Sequence, residues 1–538
     1  MKKFFKTSAF LVSLLLLCNV VLSQEGMLTY RINDFSGGMD SKSVPDILPP
    51  NVGAMASNVV ITNRGKVYKR KGESLFNTDT GSTAFTGIGR YDPDSANSYL
   101  VVASGGSIAY STSTDTVWSL VNPASPQSIG YNTEFIQASG LLFVLNGIDN
   151  TSWWTGSTWF KSHGFDAASP PSARTAAWLR NFLFLSGSEG QEDWVYVSRN
   201  LEPTLFEGDI LRINTGDGQP IVRLEPFRLD EVIVYKSRSV FVIDIAGATI
   251  DTWNVQPITR YLGCIAPRSV VNLGNDQWFL SSDPIAIRSL VRSEFDKIFL
   301  NIESNAVQDI FDGTGALTIN KNQIQKAAAV VYDNKYIIAI PTGTSTENNT
   351  VLVHDFLTKA WHIITDWEVA DWEVFNNRLY FIDSLDGRVM EAYANDTGDF
   401  ASGPTAITSN SVPDIGIKFN YVSKAIDFDL PENFKKLDSI EAEFNATGNY
   451  QAIMSINLDN AGWTSVGTIT LSANTITLPV SLPFTLSTDG IARKTFQLEK
   501  YGEFKKMQVR IQQEGLSQQA ELQRLSIFAR PRPWRREQ

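Results

Sequence analysis

With three histidines and two cysteines in 538 residues, metal and thiol chemistry have few places to start. His163, His354 and His362 have no His or Cys partner at ligand spacing, and two cysteines cannot build a thiolate cluster. His354 and His362 flank Trp361 in strand-like sequence, a setting that favours packing over proton transfer. Gly216-Asp217-Gly218 has the composition of a phosphate-binding turn, but no lysine and no helix follow, and a hairpin turn is the better reading. There is no Walker loop, no G-x-G-x-x-G after a strand and no G-x-S-x-G elbow. Asp92-x-Asp94-x-x-Asn97 offers calcium-type oxygens without the central glycine or the distal glutamate, so it reads as a solvated turn. Ser384-Leu-Asp386-Gly387 approaches the Asp-box turn of sialidases but lacks its aromatic residue. Acidic residues are plentiful, yet none is marked as one of a glycosidase pair. The expectation is no catalytic, cofactor-binding or metal-binding residues, no cofactor, and no enzyme.

The elements that would hold such residues are strands. With 43% apolar residues, 11% aromatic residues and 37 glycines, the chain can bury large cores through short strands and tight turns. Tyr99–Val102, Gly105-Gly106 and Ile108–Tyr110 read as strand, turn and returning strand. Similar units are Leu141–Leu145 with Asn146-Gly147, and Phe182–Leu185 with a Ser-Gly turn before Trp194–Val197. Val232–Tyr235 with Val240–Ile243, and Leu379–Ile382 with Asp386-Gly387 and Val389-Met390, repeat the pattern. Such repetition over residues 80–400 predicts a β-propeller, whose radial repeats hide strand edges. One helix is expected, with Ile302, Ala306, Val307, Ile310 and Phe311 on one face and Gly313 as its stop. Residues 401–413 read as a linker. Beyond it, alternation at Ile440, Ala442, Phe444 and at Met507, Val509, Ile511 predicts a separate β-sandwich over 414–529, followed by a basic tail at 530–538. The fold class is therefore all-β, a propeller with an additional C-terminal β-sandwich.

Residues 1–26 have the form of a signal peptide: Lys2, Lys3 and Lys6 precede the apolar run Ala9–Leu17. Cleavage after Ser23 would remove Cys18 and leave Cys264 alone. Met27 is the competing start. Residues 27–79 form an N-terminal segment with a basic cluster, Arg64, Lys66, Lys69, Arg70 and Lys71, open to two readings: phosphate contacts or a partner-facing strand. The net charge of −11 argues against a general nucleic-acid grip.

Asp34-Phe-Ser-Gly-Gly-Met-Asp40, Pro45-Asp-Ile-Leu-Pro49, Asn58-Val-Val-Ile-Thr-Asn-Arg-Gly65 and Lys69-Arg-Lys-Gly72 resemble the opening of a phage structural family. These are the nozzle, or packaged-DNA stabilisation (tail tubular), proteins of short-tailed double-stranded-DNA phages. Val195-Tyr-Val-Ser-Arg with Glu202-Pro203, then Gly216–Ile221, Val234–Lys236, Ser239–Ile243, Gly263-Cys-Ile-Ala-Pro-Arg-Ser269, Trp278–Ser281, Asp333-Asn-Lys-Tyr336 and Val353–Trp361 follow in family order. The resemblance spans roughly residues 28–395. It implies a virion protein that forms a tail ring, self-assembled in six copies against a portal or adaptor ring and other tail proteins, without a membrane anchor. Packaged DNA would pass through without sequence-specific contacts. A signal peptide does not suit that location. The alternative is a secreted or periplasmic bacterial propeller that binds glycan or protein through Trp-rich loops carrying Trp153, Trp154 and Trp159.

Overall fold

The computed structural model describes residues 26–532 apart from 77–84, 113–116, 123–125, 162–168, 248, 293–297, 386, 397, 401–414 and 473–489. Residues 1–25 of the leader, the 401–413 linker, His163, Asp386 and the last six residues of the tail thus lie outside the described residues.

Alternating and fully apolar runs fold into four-stranded antiparallel meanders arranged round an axis. Six are free-standing sheets: residues 85–120, 134–161, 175–212, 221–259 and 271–302, and a sixth built from 369–395. Another meander, 328–365, sits between 271–302 and 369–395 and runs on into a larger sheet. The innermost strands of all seven meanders neighbour one another, and Val369–Phe375 packs on Phe85–Tyr91 to close the ring. Numbered along the chain, these are blades one to seven. The fourth strand of blade seven is not sequential. Gly72–Leu75, which precedes blade one, pairs with Val389–Asn395 in the register Met390↔Leu75 and latches the ring.

The turns explain why strands this short hold their register. Arg180-Asn181, Asp333-Asn334 and Asn376-Asn377 each join the first two strands of a blade with both residues at positive φ. That is the two-residue hairpin turn whose twist matches the strands, and Asn and Asp tolerate it best after glycine. In blade three the turn falls at Glu189-Gly190, not at Ser186-Gly187. Strand Phe182–Ser188 runs through the Ser-Gly pair with a bulge there. The expected helix is shorter than its apolar spacing. Ile302 ends a strand, a 3₁₀ turn covers Asn305–Val307, and the α-helix is Gln308–Asp312, stopped by Gly313 at φ +78°.

The second domain is a sandwich of two sheets. One contains Lys435–Asn445, Ile491–Gln497 and Glu521–Pro531; the other contains Phe419–Val422, Met507–Gln513, Gln451–Leu458 and Trp463–Thr470. Ile440, Ala442 and Phe444 from the first meet Met454, Ile456, Val509 and Ile511 from the second in one buried cluster. It is not separate, however. Leu28–Ile32, Val59–Ile61 and Val67–Lys69 belong to the first sheet. Met55–Ser57 joins blade six to Phe419–Val422 across the second, parallel on one side and antiparallel on the other. The described part of the 27–79 segment, residues 27–76, is therefore distributed over the sandwich, blade six and blade seven. The start of the basic tail is likewise strand: Arg530 pairs with Asp438 at 2.6 Å and Arg532 with Glu503 at 3.0 Å.

Gly38 marks how tightly this segment is woven. It has φ +68°, and a Cβ there would lie 2.6 Å from the Trp361 carbonyl oxygen, so only glycine fits. Met39 then donates its N–H to that same carbonyl at 2.9 Å.

Candidate functional site

The propeller axis gathers charged side chains that are far apart in sequence. Glu134, Arg223, Glu225, Asp371 and Glu373 sit on the innermost strands of blades two, four and seven, and Arg268 lies just before blade five. Arg223 Nη1 is 2.9 Å from Glu134 of blade two, and its Nε is 3.2 Å from Glu225. Arg268 spans further. Its Nε is 3.3 Å from Asp371, Nη1 donates to the Ala370 carbonyl at 3.4 Å, and Nη2 donates to Thr86 O at 2.7 Å and Thr133 O at 3.3 Å. One guanidinium from beside blade five thus ties together blade seven and, on the opposite wall, blades one and two. The axis is bridged.

Burial raises the carboxyls of Glu134, Glu225 and Asp371, and the neighbouring arginines oppose the rise. Glu373 has no ion-pair partner among the described residues, and burial, with Asp371 adding to it, pushes its carboxyl up to about 8. In the folded chain it stays protonated well above the unfolded value near 4.3. Its contribution to stability is therefore fully present below about pH 4 and is lost as pH rises through 8. The Glu373→Gln variant keeps a neutral side chain. It is expected to match the native chain's melting temperature at pH 5 and exceed it at pH 8.5, as thermal scans at the two values will measure. Equal shifts at both values would contradict the assignment.

His354 and His362 are both buried, and burial holds them neutral, at about 4 and about 3. His354 packs among Trp278, Phe356 and Trp361 with ring centroids 5.0, 5.6 and 4.7 Å away, in keeping with a packing role. Cys264 is buried, its thiol pushed up to about 11, and Sγ donates to Ala266 O. Among the described residues no three His, Cys, Asp or Glu side chains could hold a metal ion. Asp94 accepts from the N–H groups of Ala96 and Asn97, the solvated turn expected. Gly216-Asp217-Gly218 is not a hairpin turn but a link between blades three and four. Asp217 there takes the buried Lys236 ammonium at 2.8 and 2.9 Å.

The basic cluster does not act as a patch. Arg70 and Lys69 are fully buried. Lys69 Nζ donates to Gln513 Oε1 and Gly515 O, and Lys66 pairs with Glu521 at 2.8 Å. Neither phosphates nor a partner can reach the first two. Trp153, Trp154 and Trp159 are strand residues of blade two, not loop residues: Trp154 is buried against Tyr91, Tyr99 and Tyr110, and Trp153 stacks on Phe160. Of the axial residues, only Arg268 stood inside a segment the sequence singled out. The others carry no local signal, because each is one ordinary charge on an inner strand.

No family model matches the chain, and no curated protein does. Among solved structures, the Neurospora crassa Pan2 WD40 domain is similar at 10% identity and TM-score 0.37, over 62% of this chain and 97% of that one. A chain of a mitotic checkpoint complex is similar at 11% identity and TM-score 0.35, over 59% and 96%.

Proposed function

We propose that this chain is a structural subunit of a phage tail nozzle or head–tail connector ring that retains packaged DNA and borders its ejection path. The observation that carries the reading is the ordered series of family-like segments from Asp34 to Trp361. Many fall at joints of the fold: Gly37-Gly38 against blade six, Asn58 and Arg70 between the domains, and Asp333-Asn334 in a blade turn. The acidic balance suits a surface that DNA must slide past, since each exposed cation would act as a brake.

In this reading the path cannot be the propeller's own bore. A bore bridged by one arginine side chain is too narrow for a duplex whose major groove alone is about 12 Å wide. DNA would pass between copies, in a ring closed by head-to-tail contacts against a portal-type neighbour. Most of the N-terminal segment is internal, so the part left for neighbours is its loop around Val44 and Ile47, which are 59% and 75% exposed. The Val44→Asp, Ile47→Asp double variant of a chain starting at Met27 is expected to keep its melting temperature and fail to join a ring on its portal-type partner in negative-stain micrographs. Rings formed equally well by the variant would refute the contact. Absence of the chain from tails of the parent particles would refute the function.

A further inference from the structure

Blade six, Tyr393 of blade seven and the hairpin Val59–Ile61, Val67–Lys69 wall a gap between them. The resulting cleft holds a cavity of about 220 Å³. Three tyrosines line it: Tyr68 from the hairpin, Tyr332 from blade six and Tyr393 from blade seven. Tyr332 OH donates to Asn377 O. The hydroxyls of Tyr68 and Tyr393 have no hydrogen-bond partner among the described residues. Lys71 and Lys335 also line the cleft. Lys335 is held by Asp333 at 2.6 Å, whereas Lys71 meets Asp396 at 3.7 Å in a long pair with both side chains more than half exposed, so its ammonium is the more readily drawn to a ligand.

Two further features set the cleft apart from an accidental gap. His362 lines it, is 2% exposed, and its Nδ1 has no partner. Tyr393 is held at φ +58° where the pairing of blade seven with Gly72–Leu75 shifts register. A bulky residue in the left-handed region is costly, and such strain persists where the surroundings fix it, as at binding sites.

We infer that this cleft binds a single acidic sugar residue, a six-membered ring bearing one carboxylate. The tyrosine faces suit the C–H faces of a sugar ring, their free hydroxyls and the neutral His362 suit its hydroxyl groups, and Lys71 suits the carboxylate. The cavity admits about one ring, and the single loosely paired ammonium of Lys71 matches one negative charge better than a phosphate's two. The site does not depend on the tail reading and is distinct from the blade-two tryptophans.

The test is calorimetric titration of the chain starting at Met27 with glucuronic acid, N-acetylneuraminic acid, methyl glucoside and benzoate. At least one acidic sugar is expected to saturate with a dissociation constant of about 1 mM. Methyl glucoside and benzoate should bind at least tenfold more weakly. The Tyr68→Phe, Tyr393→Phe variant should lose at least tenfold in affinity at unchanged melting temperature. Lys71→Ala, on an exposed side chain, should lose about fivefold for the acidic sugar and serves if the double variant folds poorly. No saturation by either acidic sugar overturns the proposal. Binding of methyl glucoside or benzoate as tight as the acid's, or undiminished affinity in a folded variant, overturns it as well.

Discussion

Replacing Arg70 with alanine is expected to remove about 3–5 kcal/mol of stability, the usual consequence of stripping one partner from a buried ion pair. Arg70 is fully buried, and its Nη1 and Nη2 meet the two Asp399 oxygens at 2.9 and 2.5 Å. Its Nε donates to Asn58 Oδ1 at 3.0 Å, while the Nη groups also reach the carbonyls of Lys71 and Thr365. The guanidinium lies 4.5 Å over the Trp367 ring. Glu73 shares the site, but burial, followed by the Asp399 charge, pushes its carboxyl well up, so one carboxylate faces one guanidinium. Alanine would leave Asp399 charged and without its ion-pair partner, the Lys71 and Thr365 carbonyls without their guanidinium donors, and a void beside Trp367. Arg70→Lys should recover little, because an ammonium cannot reproduce the planar fork. Replacing both partners, as in Arg70→Met with Asp399→Leu, removes the stranded charge and should regain part of the loss, though the two carbonyls lose their guanidinium donors and Trp367 Nε1 loses its acceptor. Urea midpoints for the three variants measure this. A cost under about 1 kcal/mol for Arg70→Ala would mean that the site is wetter than its burial implies.

Arg70 also shows what the sequence could not tell. Read locally, Lys69-Arg-Lys-Gly72 is a basic run and invites a surface role. Its burial depends on Asp399, 329 residues away, and on Trp367, neither of which has any pattern linking it to position 70. The blades were legible for the opposite reason. Asn376-Asn377 and Asp333-Asn334 sit between apolar runs, and a two-residue turn dictates the pairing of its own flanks. Alternation at Met507, Val509 and Ile511 likewise announced one buried face of a sheet. It could not announce that Val67 would pair with Leu522 and make the N-terminus part of that domain. The axial network was illegible too. Glu134, Arg223 and Arg268 come from three separate stretches, and only closure of the ring points them at one another.

Beginning the chain at Phe76 is expected to abolish folding altogether, where a chain beginning at Gly26 folds. Three losses combine. Blade seven loses Gly72–Leu75, so the ring opens between its last and first blades, and Val389–Asn395 is left with an unpaired edge. The sandwich loses three strands from one sheet, uncovering Leu525 and Ile527, which Leu28–Ile32 pairs against. The second sheet loses Met55–Ser57, the strand through which blade six and Phe419–Val422 form a continuous sheet. Arg70 leaves with the segment, so Asp399 is stranded as well. The latch lies at the ring seam and the three strands in the sandwich, so these losses fall on both domains at once. The sum exceeds the 5–15 kcal/mol that usually holds a native chain together. The truncated chain should be recovered as aggregate, and refolding it with a peptide of residues 26–76 should restore some soluble monomer. Circular dichroism and light scattering of the two truncations decide the point. A soluble monomer starting at Phe76, melting at the same temperature as the longer chain, would show that the N-terminal segment is an accessory rather than a latch. Its family-like residues would then be free for the neighbour contacts the sequence alone implies.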